Sequence, residues 1–590
     1  MLPSRLLPSL AMRHLAPLAV ALLACACAPA EPPATPPASP PAPVVAAPPA
    51  PVPTAPAAAP AIDPSAVRAE GISSRIRFLS DDLLEGRFTG SRGHAIAERY
   101  VASELQSMGA EPGGDAGTFL QAVPMRGATK DPTKTSLVVR SPGKPDATLK
   151  LDDDFLLSSD MRTAKVDVEA KLVFVGYGVT APEYGYDDLA GVDLKGKIAV
   201  VFSSAPLSDK DDFFPSIAHA IYSDGREKAA RLSARGAVGM ITVFRPEDEE
   251  RLPWVRVGKG ARIEQMAWLK NGEPGTSAPG IPLRGTLHWN AFDAILARAG
   301  VSVSTATLTD GMNKRTQKPF DIPVSLHGKL ASKLRDLDSH NVVGILRGSD
   351  PKLAGEYVVY SAHLDHLGVG SPIDGDSVYN GALDNASGTA AILEIARAFS
   401  MAPKRPARSI LFLACTGEER GLLGSDYFAR FPTVPAGSIV ADFNDDMVLG
   451  LAPLHDVVAL GAEHSTLGPL AVDAAKSLGL ETSPDPAPKQ LIFIRSDQYS
   501  FVRQGIPSLV VGPGLKDDQG HTEAYAAKQK GWISTRYHAP KDEWDPTYNY
   551  EAMAQVARVE LLAGLAVANA VERPTWVKGD ILATKFATIK

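Results

Sequence analysis

The chain has 590 residues, 45% of them hydrophobic and 22% charged, with a net charge of −7 at pH 7. That length exceeds what one core ordinarily serves, so two or more domains are expected. The mild negative charge comes with no basic block or Lys/Arg stripe, which argues against nucleic acid as a partner.

The first segment in chain order is a leader. Arg5 and Arg13 precede the apolar run "LAPLAVALLA" (15–24), which ends at "CAC". A basic start, about ten apolar residues and then small residues form the pattern of a secretory signal, too short for a membrane span of about 20 residues. "LLAC" (22–25) resembles a bacterial lipobox with Cys25 as the lipidated residue; Cys27, or ordinary cleavage near Ala28 or Ala30, is the alternative. Residues 1–27 are therefore expected to deliver a lipoprotein to the envelope of a Gram-negative-type bacterium. It would face the periplasm from the outer membrane, touching the membrane through its lipid anchor alone, or be secreted. Residues 28–61, mostly Pro and Ala, read as an extended tether. Cys415 is the one cysteine beyond the leader, so no disulfide framework is possible and buried packing is expected.

From Ile62 the pattern is that of a folded chain. "HAIAERYVASELQSMG" (94–109) has helical spacing closed by Gly109, and "SLVVR" (136–140) reads as a strand. Residues 62–165 are expected to form the first part of the domain completed by 331–575. Between them, "KLVFVGYGV" (171–179), "KIAVVF" (197–202) and "VGMITVF" (238–244) read as strands, with a helix at "REKAARLSARGA" (226–237). "GVDLKGKIAVV" followed by "RGAVGMITV" resembles the protease-associated domain, implying an inserted, β-rich unit over 166–330 without catalytic residues.

In 331–575 strands alternate with helices: "NVVGILRG", "EYVVYSAH", then "SGTAAILEIARAFS", "SILFLACT", "IVADFN" and "PSLVVG". Continuous apolar strands indicate a sheet covered on both faces, hence an α/β fold with a mixed, mainly parallel sheet between helices. A last helix carries Val556, Val559, Ala563 and Val567, and 576–590 reads as a tail.

Polar groups collect where these strands end. In "SAHLDHLG" (361–368) strand alternation points His363 and Asp365 to one side, as suits an imidazole metal ligand steadied by a carboxylate, and leaves His366 as a loop histidine satisfied locally. "GALDNASGTA" (381–390) sets Asp384 before a helix that Asn385 or Ser387 can cap. Glu418 and Glu419 in "LACTGEERGLLGS" repel each other unless a cation or shared proton intervenes. Asp445 and Asp446 repeat the theme, and "YHAPKDEWD" (537–545) brings a late histidine.

The ordered set "HLDHLG … LDNASG … GEERGLLGS … NDDM … YHAPKDE" resembles the co-catalytic zinc peptidases of metallopeptidase family 28, which include leucyl aminopeptidases and the glutamate carboxypeptidase II group. The resemblance implies two zinc ions per chain. His363 and Asp446 would hold one, Glu419 and His538 the other, and Asp384 would bridge them. It makes Glu418 the general base, Asp365 the residue orienting His363, and Tyr537 a further donor. An exopeptidase acting on peptides is implied, an aminopeptidase before a carboxypeptidase or dipeptidase, for which Arg495 or Arg536 could receive a terminal carboxylate. Asp445 stands where the family has an apolar residue, and Gln498 where several relatives have histidine. A second binuclear class places a lid domain between the ligand after "EE" and the last histidine, but only 92 positions separate Asp446 from His538. A receptor-like relative would lack ligands or the base, which are all present. A single-zinc glutaminyl cyclase is the remaining use of this fold. Oligomeric state is not legible.

Overall fold

In the computed structural model, which describes residues 62–206, 214–261, 263–275 and 278–587, the apolar runs of the second half pair into one sheet. The expected leader (1–27) and tether (28–61) lie outside the described residues. Strand Tyr357–His363 sits between Ser409–Cys415 and Ile439–Asn444, parallel to both, and Ser508–Pro513 extends the parallel set. The end of Phe320–Leu346 and the strand Asp456–Leu460 pair antiparallel at the two sides. The sheet is thus mixed and mainly parallel, as expected.

Side-chain alternation splits the central strands between two cores. Val358, Tyr360, Phe412 and Phe443 pack with Ile72, Leu393, Val556 and Val559, from helices Ala69–Leu79, Ser387–Ser400 and Tyr550–Asn569. On the opposite face Val359, Leu411 and Leu413 meet Phe428 and Phe501. Cys415 is buried there, as its surroundings in the sequence suggest. The helix expected over 94–109 runs Arg92–Ser107, and Gly109 follows at φ 76°.

A separate core gathers Phe174, Tyr177, Phe202, Val243, Leu287 and Phe292. Here Ile198–Phe202, Gly239–Phe244 and Leu283–His288 run parallel. The 27-residue strand Phe320–Leu346 joins this sheet to the first: its early residues pair with Ser136–Arg140 and Lys165–Phe174. Leu137, Val139, Phe155 and Leu157 belong to this second core. It therefore draws on chain ahead of residue 166, because the hydrogen-bonding edge of the long strand is what those early strands need. Within the stretch read as a tail, the short helix Ile581–Phe586 buries Leu582 against Phe493, Tyr499 and Val502.

Parallel neighbours end on one side of a sheet. The carboxyl ends of Tyr357–His363, Ser409–Cys415 and Ile439–Asn444 therefore converge, as in other open α/β folds.

Candidate metal centre

His363 is the last residue of its strand, Glu418 and Glu419 follow Ser409–Cys415, and Asp446 follows Ile439–Asn444. Asp384 lies in the turn Ala382–Ala386 that leads into helix Ser387–Ser400. His363 Nε2 is 3.3 Å from Asp384 Oδ1 and 3.2 Å from Asp446 Oδ1. The other oxygen of Asp384, Oδ2, lies 3.1 Å from His538 Nε2, which is also 3.4 Å from Glu419 Oε2. Asp384 thus offers one oxygen to each histidine. Glu418 Oε2 stands 4.0 Å from His363 Nε2. All five expected ligands and the expected base meet in one place.

Two expectations change. The His363 ring is steadied by the backbone carbonyl of Asp365, 3.0 Å from Nδ1, and not by its carboxylate. That carboxylate accepts the Thr89 hydroxyl at 2.8 Å and the backbone N–H of Glu418 at 3.1 Å. Strand alternation stops at His363, so Asp365 turns toward the glutamate loop. His366 is not a locally satisfied loop histidine: it is fully buried, with Nδ1 2.9 Å from Glu419 Oε1 and 3.9 Å from Asp384 Oδ2.

Residues outside the expected set hold the loops. The Asp542 carboxylate accepts the backbone N–H groups of Leu383 and Asp384 at 2.9 and 3.0 Å. Buried Arg87 donates to the carbonyls of Leu79, Leu364, Asn380 and Gly381. Asn385 Oδ1 caps Gly388 at 2.8 Å while its Nδ2 donates to the Asp445 carbonyl. Arg87 and Thr89, in "EGRFTG", gave no sequence signal, because all their partners except Leu79 are 276 to 294 residues away.

The electrostatics are those of carboxylates confined together. Burial opposes ionisation of Asp384, yet His363 and His538 hold it well below the usual range. Burial and Asp384 push Glu419 up, but His366 and His538 bring it down to about 2. His538 is correspondingly lifted to about 10, against the effect of burial. Burial drives Glu418 well above the usual carboxylate range, helped by Glu419 and Asp446 and opposed by His363. The nitrogens of His366 and the Oε1 of Glu419 are buried without an aligned hydrogen bond. Oxygen and imidazole donors in two groups, His363–Asp384–Asp446 and His366–Asp384–Glu419, each lie within 4.8 Å of one another. Such a donor set, imidazole with carboxylate and no thiolate, fits zinc.

The remaining positions are distributed around this centre. Tyr537 is exposed and stacks on His538 at 3.8 Å. Asp445 turns away into the core beside buried Glu560; burial raises Asp445 to about 7 and Glu560 well above its usual value. Gln498 is buried and bonded to Asn444 and the Phe493 carbonyl, a packing role. Arg536 is taken by Tyr548 and Asp545, and Arg495 is exposed.

Residues 341–563 match Peptidase family M28. The chain is 25% identical over 371 residues to "Glutamate carboxypeptidase 2 homolog" of Caenorhabditis briggsae, covering 58% of this chain and 44% of that protein. It is 39% identical over 115 residues to "Aminopeptidase NAALADL1" of Mus musculus, 19% of this chain and 13% of that one. It is 40% identical over 108 residues to "Probable zinc metalloprotease" of Pyrenophora teres f. teres (strain 0-1), 18% and 22% of the two chains. The chain thus spans less than half the length of these curated relatives. The stretch that matches the family, residues 341–563, contains all five expected ligands.

Proposed function

We propose that this protein is a zinc-dependent exopeptidase that removes N-terminal residues from peptides. The observation that carries the reading is Asp384 facing His363 with one oxygen and His538 with the other. His363, Asp384 and Asp446 would hold one zinc, and Asp384, Glu419 and His538 a second. Zinc in these positions supplies Lewis-acid polarisation and a water acidified to near-neutral pKa.

The chain's own groups do the rest. The Glu418 carboxylate takes the proton of the attacking water and passes it to the leaving amine. Asp365, through the Glu418 N–H, fixes the backbone that carries that carboxylate. The Tyr537 hydroxyl, whose ring stacks on His538, would donate to the oxygen of the scissile carbonyl as it gains charge. The names carried by the mouse and fungal relatives, an aminopeptidase and a zinc metalloprotease, agree with this reading.

The test is to chelate the metal, restore zinc stepwise, and follow hydrolysis of free-amine, N-acetylated and C-amidated short peptides. Activity that returns with two zinc ions and is blocked by N-acetylation alone is expected. Cleavage of N-acetylated peptides, blocked by amidation, would make it a carboxypeptidase, the reading favoured by the name of the nematode relative. No zinc-dependent cleavage would remove the peptidase assignment.

A further inference from the structure

Residues 575–586 lie beyond the stretch that matches the family and are tied down at several points. Thr575 and Thr466 exchange hydrogen bonds of 2.9 and 3.0 Å, the Trp576 indole donates to the Gly505 carbonyl at 3.0 Å, and the Val577 N–H donates to the His464 carbonyl at 2.8 Å. Asp580 meets the His464 ring at 2.7 Å and caps the helix Ile581–Phe586 through the Leu582 N–H.

That short helix carries two anchors. Leu582 is fully buried, in a cluster with Ile221 of the helix Ser216–Ser223, Leu422, Phe493, Tyr499 and Val502. Lys585 Nζ lies 4.2 Å over the ring of Tyr222, a member of the second core, and 3.6 Å from Glu183.

The partners of Leu582 lead to the metal centre. Leu422 stands three residues after Glu419, and its N–H bonds the Glu418 carbonyl at 3.0 Å. Its φ of 60° lies in the left-handed region, which a leucine adopts at a steric cost and keeps only where its surroundings hold it. The cluster around Leu582 is what holds it. Val502 ends the helix Gln498–Val502, whose Gln498 accepts from Asn444, two residues before Asp446, at 2.9 Å. In the same helix Ser500 meets Ser425 at 2.9 Å, just after the glutamate turn.

We propose that Leu582 is a positioning residue: through Leu422 and the helix Gln498–Val502 it fixes the turn that carries Glu418, and Lys585 fastens the same strap to the second core. The inference rests on the peptidase reading for Glu418 as the base. Loosening the strap acts on turnover before substrate affinity, because proton transfer depends on where the Glu418 carboxylate stands.

The test uses the full-length, zinc-loaded protein and four variants. Leu582→Ala opens a cavity in the cluster, Leu582→Met refills it, and Lys585→Met loosens the second anchor. Leu137→Ala removes the same atoms from the strand Ser136–Arg140, where Leu137 is fully buried in the second core. Leu582→Ala is expected to lower kcat about tenfold, with KM within about twofold and two zinc ions still bound. Leu582→Met should keep most of the activity, and Leu137→Ala should lose stability at unchanged kcat. Hydrogen exchange at residues 417–424 should quicken in Leu582→Ala, less in Lys585→Met and not at all in Leu137→Ala. An unchanged kcat in Leu582→Ala, an equal loss in Leu137→Ala, or zinc released together with activity would overturn the inference. Should Leu582→Ala not fold, Lys585→Met carries the test, and exchange at 417–424 equal to that of the unsubstituted protein would overturn it. Cleavage by the unsubstituted protein, with 417–424 indifferent to Leu582, refutes the strap and leaves the peptidase. Quickened exchange in a protein that cleaves no peptide refutes the peptidase and leaves the strap.

Discussion

His366 and Glu419 face each other at the candidate metal centre, Nδ1 to Oε1 at 2.9 Å, with the histidine wholly shut from solvent. In the proposed reading Glu419 holds a cation on its other oxygen, 3.4 Å from His538, and the buried imidazole packed against it would keep it in position. His366→Ala should therefore weaken the binding of one zinc by about 10–100-fold and leave the other in place. Zinc competition against a chromophoric chelator reads both affinities. Two unchanged affinities would mean that the ring only fills space.

In the proposed reading Glu418 moves a proton and has no ligand task. Glu418→Gln keeps its size, the backbone N–H held by Asp365 and all five ligands. It should lower kcat by about 10²–10⁴-fold while two zinc ions remain bound. Loss of metal together with activity would instead make Glu418 a ligand, and full activity would remove its role as base.

Arg87 ties together parts of the chain that the site needs in register. It donates to the carbonyls of Leu364, just after His363, and of Gly381, just before the Asp384 turn. Lysine at position 87 cannot reach all four carbonyls, and each buried acceptor left unmatched costs about 1–3 kcal/mol. Arg87→Lys should lower the midpoint of thermal unfolding of the zinc-free protein, and saturating zinc should restore part of the loss by binding the folded state. An unaltered midpoint would show that the four hydrogen bonds do not hold the turn.

How much of this was legible in the sequence follows from what each feature depends on. The central strands were readable because a strand buried on both faces is a continuous apolar run, as in "YVVYSAH" and "SILFLAC". Four of the five expected ligands stood out in the sequence because each ends such a run or flanks a helix start, whereas His538, in a Pro-containing loop, stood out only through the order shared with a known family. Asp365 was misread because period-two alternation holds only within a strand, and the strand ends at His363. His366 was discounted because nothing local shows that Glu419, 53 positions later, would close on it. Apart from the bond of Arg87 to Leu79, Arg87, Thr89 and Asp542 act through contacts 158 to 294 residues long, which no window contains. The start of the second core was placed late because Leu137 and Phe155 join it only through pairing with distant strands.

Lys228 supplies a test of the second core that is independent of the metal centre. Its ammonium is buried and donates to the carbonyls of Phe202 and Ser204. Burial pulls its pKa down to about 7, against the attraction of Asp188. In the unfolded chain a lysine titrates near 10.4. Between about pH 7 and pH 10 the unfolded chain therefore holds a proton that the folded protein has released, and stability must rise with pH across that window. Below pH 7 both states are protonated and this group adds no slope. The upper bound on the rise is about 4–5 kcal/mol, at 1.36 kcal/mol per pKa unit. Lys228→Met removes the titration and leaves two carbonyls unmatched, an offset that does not vary with pH. Urea unfolding followed from pH 7 to pH 10 should show the unsubstituted protein gaining stability relative to Lys228→Met. Parallel curves would mean that the ammonium stays protonated in the folded state, held by the carbonyls more strongly than burial opposes it.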